Sequence, residues 1–202
     1  MVRLKLGVLG GTFDPVHLGH LILADEAIYQ LGLNRVLWVL TPNPPHKQGI
    51  HVSSGEHRLR MLEIALGDNT AWEISHVDIN RQPPYYALAT MRLLRLQFPG
   101  AQLFYLMGGD SLNDLPRWHR PKEFVDLCDG IGVMQRPGVH LDFTDLDQQI
   151  PGICEKIYFV HAPLLDISSS NIRERISAGK PFRYYLSREE YQYILKHRLY
   201  LK

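Results

Sequence analysis

The stretch Leu4-Lys5-Leu6-Gly7-Val8-Leu9-Gly10-Gly11-Thr12-Phe13-Asp14-Pro15-Val16-His17-Leu18-Gly19-His20 decides how the rest of the chain is read. Leu4 to Leu9 read as an apolar strand, and Leu21 to Leu31 as a helix. A glycine pair therefore ends the first strand, and two histidines three residues apart stand where a helix begins. Glycines at a strand end let a ligand approach the backbone closely. A helix start offers unpaired N–H groups and the positive end of the dipole. Together these make a phosphate site. Residues at i and i+3 share a helix face, so His17 and His20 can address one anion. A glycine pair alone reads equally as a turn, and a lone His-x-x-His as half a metal site or as two partly buried histidines making ordinary hydrogen bonds. The strand–loop–helix context is what makes the whole run specific. It matches neither G-x-G-x-x-G nor G-x-x-x-x-G-K-[ST].

Working outward, strands and helices alternate. Gly32 reads as a helix C-cap, and Val36 to Leu40 as a second strand. A proline-rich loop, Thr41-Pro42-Asn43-Pro44-Pro45-His46-Lys47, follows it. Ser53-Ser54-Gly55-Glu56 reads as a capping box opening a helix to about Leu66. Trp72 to Ile79 alternates as strand three, and Leu88 to Phe98 is helical before Pro99-Gly100. Leu103 to Met107 is strand four, ending in Gly108-Gly109-Asp110-Ser111. A short helix at Phe124 to Leu127, strand five at Ile131 to Met134 and strand six at Ile157 to Val160 come next. Ser168 to Ser170 cap a helix that Gly179-Lys180-Pro181 stops. Ser187-Arg188-Glu189-Glu190 is a second capping box opening the last helix. The expected fold is α/β: a Rossmann-like, doubly wound parallel sheet flanked by helices, with a small C-terminal helical segment from about residue 180. All of residues 1–202 are expected to form one domain.

Ligands on such sheets bind beyond the carboxyl ends of the strands. His17 and His20 follow strand one, His46 and Lys47 strand two, Asp110 strand four, and Arg136 strand five. Ile167-Ser168-Ser169-Ser170-Asn171-Ile172-Arg173 follows strand six. Its hydroxyls and N–H groups can hold phosphate oxygens, and Arg173 can clamp them bidentately. Taken alone, the segment reads as ordinary serine capping. So many cationic and hydroxyl groups on one rim describe a phosphorylated ligand. Trp118, just past the Gly-Asp turn, is either a platform for a planar base or a side chain packed under its loop. Asp14 reads as fixing its own turn.

The 202 residues carry 22 Lys+Arg against 21 Asp+Glu, a net charge of +1 that gives no reason to expect nucleic acid or an anionic membrane as partner. No apolar run reaches membrane-spanning length. The chain enters its first strand at once, so no signal peptide is expected, and the expected location is the cytoplasm. Cys128 and Cys154 form no C-x-x-C pair and read as reduced thiols or core residues. The oligomeric state stays open, a homo-oligomer included.

The first run and the serine segment resemble the [His/Thr]-x-Gly-His and Ile-Ser-Ser-[Thr/Ser]-x-[Ile/Val]-Arg motifs of the nucleotidylyltransferase superfamily. Within it, the chain resembles the bacterial-type nicotinate mononucleotide adenylyltransferases nearly end to end. The likeness extends through Pro44-Pro45-His46-Lys47, His57 to Leu62, Gly108 to Leu112, Leu115-Pro116-Arg117-Trp118, Arg136-Pro137-Gly138, Tyr193-Ile194 and Leu199-Tyr200. Phosphopantetheine adenylyltransferases resemble only the first and serine motifs and carry Thr where this chain has His17.

The resemblance implies transfer of AMP from ATP to nicotinate mononucleotide, with Mg²⁺ carried by the phosphates and no protein-bound metal. It implies catalytic roles for His17, His20, Lys47 and Arg173. It implies ATP contacts at Gly10, Gly11, Thr12, Phe13, His17, His20, Gly109, Asp110, Ile167, Ser168, Ser169 and Arg173. Mononucleotide contacts are implied at Asn43, His46, Lys47, Tyr86, Ala87, Trp118 and Arg136. The family's Ser-Tyr-Thr-Ile-Asp-Thr-Leu stands here as Tyr85-Tyr86-Ala87-Leu88-Ala89-Thr90-Met91. A contact made there through a backbone amide survives this change, and one made through a hydroxyl does not. The alternatives are another nucleotidylyltransferase, such as a phosphopantetheine adenylyltransferase, or a non-catalytic nucleotide sensor on the same fold.

Overall fold

The alternating runs pair into a parallel sheet in the computed structural model, which describes residues 3–42, 52–135 and 137–201. Asn43, His46, Lys47 and Arg136 lie outside the described residues. The strands are β1 (Lys5–Gly11), β2 (Arg35–Leu40), β3 (Trp72–Ser75), β4 (Gln102–Gly108), β5 (Gly130–Met134) and β6 (Ile157–Val160). They lie in the order β3-β2-β1-β4-β5-β6, each neighbouring pair parallel. The α-helices among the described residues are α1 (Leu18–Leu31), α2 (Gly55–Leu66), α3 (Ala87–Gln97), α4 (Gly109–Asp114), α5 (Pro121–Leu127), α6 (Phe143–Gln149), α7 (Ser169–Ser177) and α8 (Arg188–Lys196). This is the doubly wound arrangement that the alternation predicted.

Side chains along each strand alternate between two cores, as a period of two demands. Leu6, Val8, Leu37, Val39, Leu103 and Tyr105 pack with Leu88, Met91 and Leu94 of α3 and Phe124 of α5. Leu9, Val36, Trp38, Leu40, Phe104 and Leu106 pack with Leu23 and Ala27 of α1 and Leu62 of α2. Helices thus cover both faces, which is why the central strands read as nearly unbroken apolar runs. Burying each large apolar side chain contributes about 1.5–3 kcal/mol. A third cluster joins Met61 of α2 to Ile172 and Ile176 of α7, Phe182, Leu186 and Ile194 of α8. The C-terminal segment is therefore packed on α2.

The strand order reverses between β1 and β4. Their ladder runs from Lys5↔Gln102 only to Val8↔Tyr105, whereas β1 stays with β2 as far as Gly11↔Leu40. Beyond Val8 the two central strands part, and the sheet opens where such sheets bind ligands.

Gly32 ends α1 with φ 62°, as predicted, in the left-handed region that favours glycine. Two sequence readings need correction. Strand three stops at Ser75, where its ladder with Val39 ends. The chain then turns, with the Asn80 N–H on the His76 carbonyl at 2.9 Å. That turn buries Asp78, which accepts from Thr90 Oγ1 at 2.9 Å and Arg81 Nε at 2.8 Å. The helix after residue 53 is capped by Ser54, whose Oγ accepts the His57 N–H at 3.3 Å, and not by Ser53. Ser53 instead donates its N–H to Asp14 Oδ2 at 3.3 Å, and its carbonyl accepts from Arg58 Nε at 2.9 Å. The second capping box does form its hydroxyl half, Ser187 Oγ accepting from the Glu190 N–H at 3.2 Å.

Candidate active site

The loop after β1 is shaped by the protein's own side chains. A Cβ at Gly10 would stand 2.7 Å from the Tyr105 hydroxyl, and one at Gly11 would stand 2.9 Å from the Phe13 ring. The glycine pair is thus required by internal packing, a reason separate from the ligand approach expected from sequence. Phe13 adopts φ 48°, a conformation that strains a side-chain-bearing residue. Its ring is buried against Trp38, with centroids 5.6 Å apart, and meets His20 edge-on at 5.2 Å.

His17 caps α1, and its backbone N–H donates to Nδ1 of His20 at 3.2 Å. The two imidazoles stack with centroids 3.7 Å apart. Because Nδ1 of His20 accepts, a neutral His20 carries its proton on Nε2. His17 is 1% exposed and His20 half-buried. Gly19 makes room for this stack, since a Cβ there would stand 3.1 Å from His17 Nδ1.

The same Cβ position lies 3.9 Å from the carbonyl of Ile167, so the starts of α1 and α7 meet. Ser169 Oγ donates to the Pro15 carbonyl at 2.8 Å. Arg173 reaches the Asp14 carbonyl with Nη1 at 2.8 Å and Ser170 Oγ with Nη2 at 3.2 Å. Ser168 Oγ caps its own helix, accepting the Asn171 N–H at 3.1 Å. The serine segment therefore does two jobs, capping α7 and clasping the β1 loop. The first backbone N–H groups of α7 and the guanidinium of Arg173 lie at this junction with the β1 loop. Two helix N-termini converge there, and both favour an anion.

Arg58 was not singled out as a site residue by sequence, where it appeared only inside a family segment. It is 2% exposed. Its guanidinium donates to the carbonyls of Ser53 at 2.9 Å, Thr12 at 2.9 Å, Thr41 at 2.8 Å and Pro42. One side chain thereby ties the loop after β1 to the loop after β2 and the start of α2. Burial lowers its pKa, while the nearby Asp14 carboxylate and Tyr200 oppose that shift. An arginine surrounded by carbonyls stays charged regardless.

Across the opening, Gly109 and Asp110 begin α4 directly from the end of β4. A Cβ at Gly109 would stand 3.3 Å from Val139. Trp118 is half-buried, packing on Tyr105 and Phe124 with centroids 5.9 and 5.3 Å away. The packing expected of a side chain under its loop is present, and the residue keeps part of its surface exposed. Tyr86 stacks on His119 at 4.3 Å, bringing the start of α3 against the Leu115–Trp118 loop. No side chain caps α3, and its first internal bonds run from the Ala89 and Thr90 N–H groups to the Tyr86 carbonyl. The N–H groups of Ala87 and Leu88 precede them. Arg81 braces this turn through Asp78 and the Pro84 carbonyl, at 2.8 and 2.6 Å. Arg117 points away, 87% exposed, with Asp114 at 3.5 Å.

Among the described residues there is no group of three or more His, Cys, Asp or Glu side chains arranged to hold a metal. No helix among them is long and apolar enough to cross a membrane.

Doubly wound sheets bind ligands where their strand order reverses, and helix N-termini favour phosphates. The cytidylyltransferase-like family model matches residues 8–175, which puts the chain among the nucleotidyl-transferring α/β proteins. A relative from Thermomicrobium roseum named "Probable nicotinate-nucleotide adenylyltransferase" is 41% identical over 97% of this chain and 91% of its own length. The Bacillus subtilis nicotinate-nucleotide adenylyltransferase is 35% identical over 97% of this chain and 98% of its own. Within its class, then, the chain belongs to the nicotinate-nucleotide adenylyltransferase family. The solved structure of Plasmodium falciparum nicotinic acid mononucleotide adenylyltransferase complexed with NaAD shares the fold, with a TM-score of 0.80 over 98% of both chains at 18% identity.

Proposed function

We propose that this chain transfers AMP from ATP to nicotinate mononucleotide, giving nicotinate adenine dinucleotide and pyrophosphate. The observation that carries the reading is the convergence of the α1 and α7 N-termini on one loop that bears the His17–His20 stack and the Arg173 clasp. A phosphate oxygen of the mononucleotide attacks the α-phosphorus of ATP in line. The bond from that phosphorus to the bridging oxygen breaks, and pyrophosphate departs with the electron pair. The attacking oxygen is already anionic, so the protein supplies position and charge stabilisation and no nucleophile of its own.

In this reading His20 Nε2 and His17 contact the α-phosphate region. Arg173 and Lys47 neutralise the departing pyrophosphate, with Lys47 assigned by its family motif alone. Mg²⁺ arrives with ATP, held by phosphates and water. The nucleoside of ATP lies along Gly109 and Asp110. The nicotinate ring lies by Trp118 and Tyr86, with its carboxylate toward the Ala87 and Leu88 N–H groups. Those two amides replace the hydroxyl that Ala87 lacks. The substrates are small molecules of the cytoplasm, where we place the enzyme.

The test is pyrophosphate release from ATP with nicotinate mononucleotide, nicotinamide mononucleotide and phosphopantetheine offered in turn. Release with nicotinate mononucleotide foremost is expected. ATP binding without release would instead make the chain a sensor, and release with phosphopantetheine alone would make it a different transferase.

A further inference from the structure

The loop that carries His17 and His20 is held from an unexpected quarter, the end of the chain. Asp14, two residues before Val16, is 2% exposed. Its Oδ2 accepts the Ser53 N–H at 3.3 Å, and its Oδ1 accepts the phenol hydrogen of Tyr200 at 2.7 Å. The backbone carbonyl of the same residue takes Arg173 Nη1 at 2.8 Å. Asp14 is therefore a node where the β1 loop, the start of α2, α7 and the C-terminal segment meet. The contact with Tyr200 spans 186 residues of sequence.

Tyr200 is placed with evident constraint. Its φ is 65° and that of Arg198 is 52°, left-handed backbone that residues with side chains adopt only when their surroundings enforce it. The Leu199 N–H bonds the Ile194 carbonyl at 3.1 Å, anchoring the turn to α8. The ring of Tyr200 joins the cluster that packs Met61 of α2 against α7 and α8, and its hydroxyl also lies 3.8 Å from Met61 Sδ. Burial, then the Asp14 carboxylate, push the phenol pKa upward, so the hydroxyl stays a donor across working pH.

We propose that Tyr200 is a positioning residue for adenylyl transfer. Its hydroxyl fixes Asp14, and Asp14 fixes both the imidazole-bearing loop and the guanidinium of Arg173. This rests on the adenylyltransferase reading above. A loop that drifts is expected to keep most of its affinity for ATP, because the proposed contacts are spread over several elements. It loses the alignment that matters in the transition state, where a displacement on the order of 1 Å can lower the rate ~10²-fold. The loss therefore falls on kcat rather than on KM.

The experiment compares wild type, Tyr200→Phe and Tyr191→Phe in the full chain, by steady-state pyrophosphate release and thermal melting. Tyr191 belongs to the same C-terminal cluster, with its ring 4.9 Å from Phe182. Tyr200→Phe is expected to lower kcat about tenfold, with the KM for ATP within about twofold, while Tyr191→Phe stays near wild type. A Tyr200→Phe protein that melts lower but keeps its kcat per folded molecule overturns the proposal. Wild type alone supplies a second readout that needs no variant to fold. A non-hydrolysable ATP analogue should slow hydrogen exchange of the Leu199 amide, because ordering the loop tightens the latch by linkage. An unchanged Leu199 amide, with the analogue bound, also overturns it. If wild type releases no pyrophosphate at all, the functional reading fails first, and the exchange measurement still judges the latch.

Discussion

Replacing His20 by Ala removes two things that the structure lets one separate. The imidazole is an acceptor for the His17 N–H at the start of α1, and under the proposed function its Nε2–H contacts the α-phosphate. Loss of the acceptor leaves a helix-start N–H without its partner, which costs roughly 0.5–2 kcal/mol in comparable caps. Loss of one preorganised donor facing developing charge lowers kcat by roughly 10²–10³, or about 2.7–4 kcal/mol. ATP binding should weaken much less, since the contact strengthens as charge shifts in the transition state. His20→Gln divides the two effects. A glutamine at the third helical position can reach back to the N-cap N–H, so it restores stability but not the imidazole. The assay is pyrophosphate release at saturating ATP and nicotinate mononucleotide, beside calorimetric ATP binding and thermal melts. The expected pattern is low kcat in both variants and a recovered melting temperature in His20→Gln alone. Near-normal kcat in either variant would refute the role given to His20.

Arg173→Ala should weaken ATP and pyrophosphate about 10–100-fold, the value of a charge-assisted bond near 1.5–3 kcal/mol, and mononucleotide far less; equal losses by calorimetry would mean that its clasp on the Asp14 carbonyl is its whole role. Trp118→Ala should erode the preference for nicotinate over nicotinamide mononucleotide, read as a ratio of kcat/KM values. Arg117→Ala should leave that ratio intact, because Arg117 is 87% exposed and faces Asp114; the opposite pattern would mean that a charge pair selects the substrate. Glu190→Gln should raise the melting temperature at pH 8 by a few degrees, as about 1 kcal/mol moves a chain of this size about 2–4 °C. Glu190 is 0% exposed, and burial raises its pKa well above the ordinary carboxyl range. Its protonated form is the one the fold prefers, so its contribution is full below the unfolded pKa and declines as pH rises toward the folded one. The gain from Gln should therefore shrink toward pH 4.5, near the ordinary glutamate value; a gain independent of pH would contradict it.

The parts of this molecule written in period or in turn chemistry were readable in advance. Apolar runs separated by helical runs gave the sheet, Gly32 its C-cap, and Ser168 and Ser187 their helix starts. The His17 to His20 spacing announced a helix N-terminus with two imidazoles on it, though not that one would serve as the other's acceptor. What stayed hidden shares a physical character. Arg58, Asp78 and Tyr200 are polar groups that work inside the protein: Arg58 on backbone carbonyls, Asp78 on the Thr90 hydroxyl and the Arg81 guanidinium, and Tyr200 on the Asp14 carboxylate. Such pairings have no period, so nothing local marks them. Strand three was overextended for a related reason. Trp72 to Ile79 keeps its alternation, but the demand of Asp78 for Thr90 and Arg81 pulls the chain out of the ladder. The glycine pair carries a packing demand that the sequence does not display, since a Cβ at Gly10 or Gly11 would meet Tyr105 or Phe13.

The two outermost strands of the sheet, β3 and β6, are each four residues long. An outer strand carries a row of backbone groups that a stranger's strand could extend, and shortness is one way proteins blunt that risk. Here the longer, strongly apolar strands are all interior, and what faces outward at either rim offers a foreign chain only a few bonding groups. The sheet thus offers a second copy of this chain little to grow on, even where molecules crowd together.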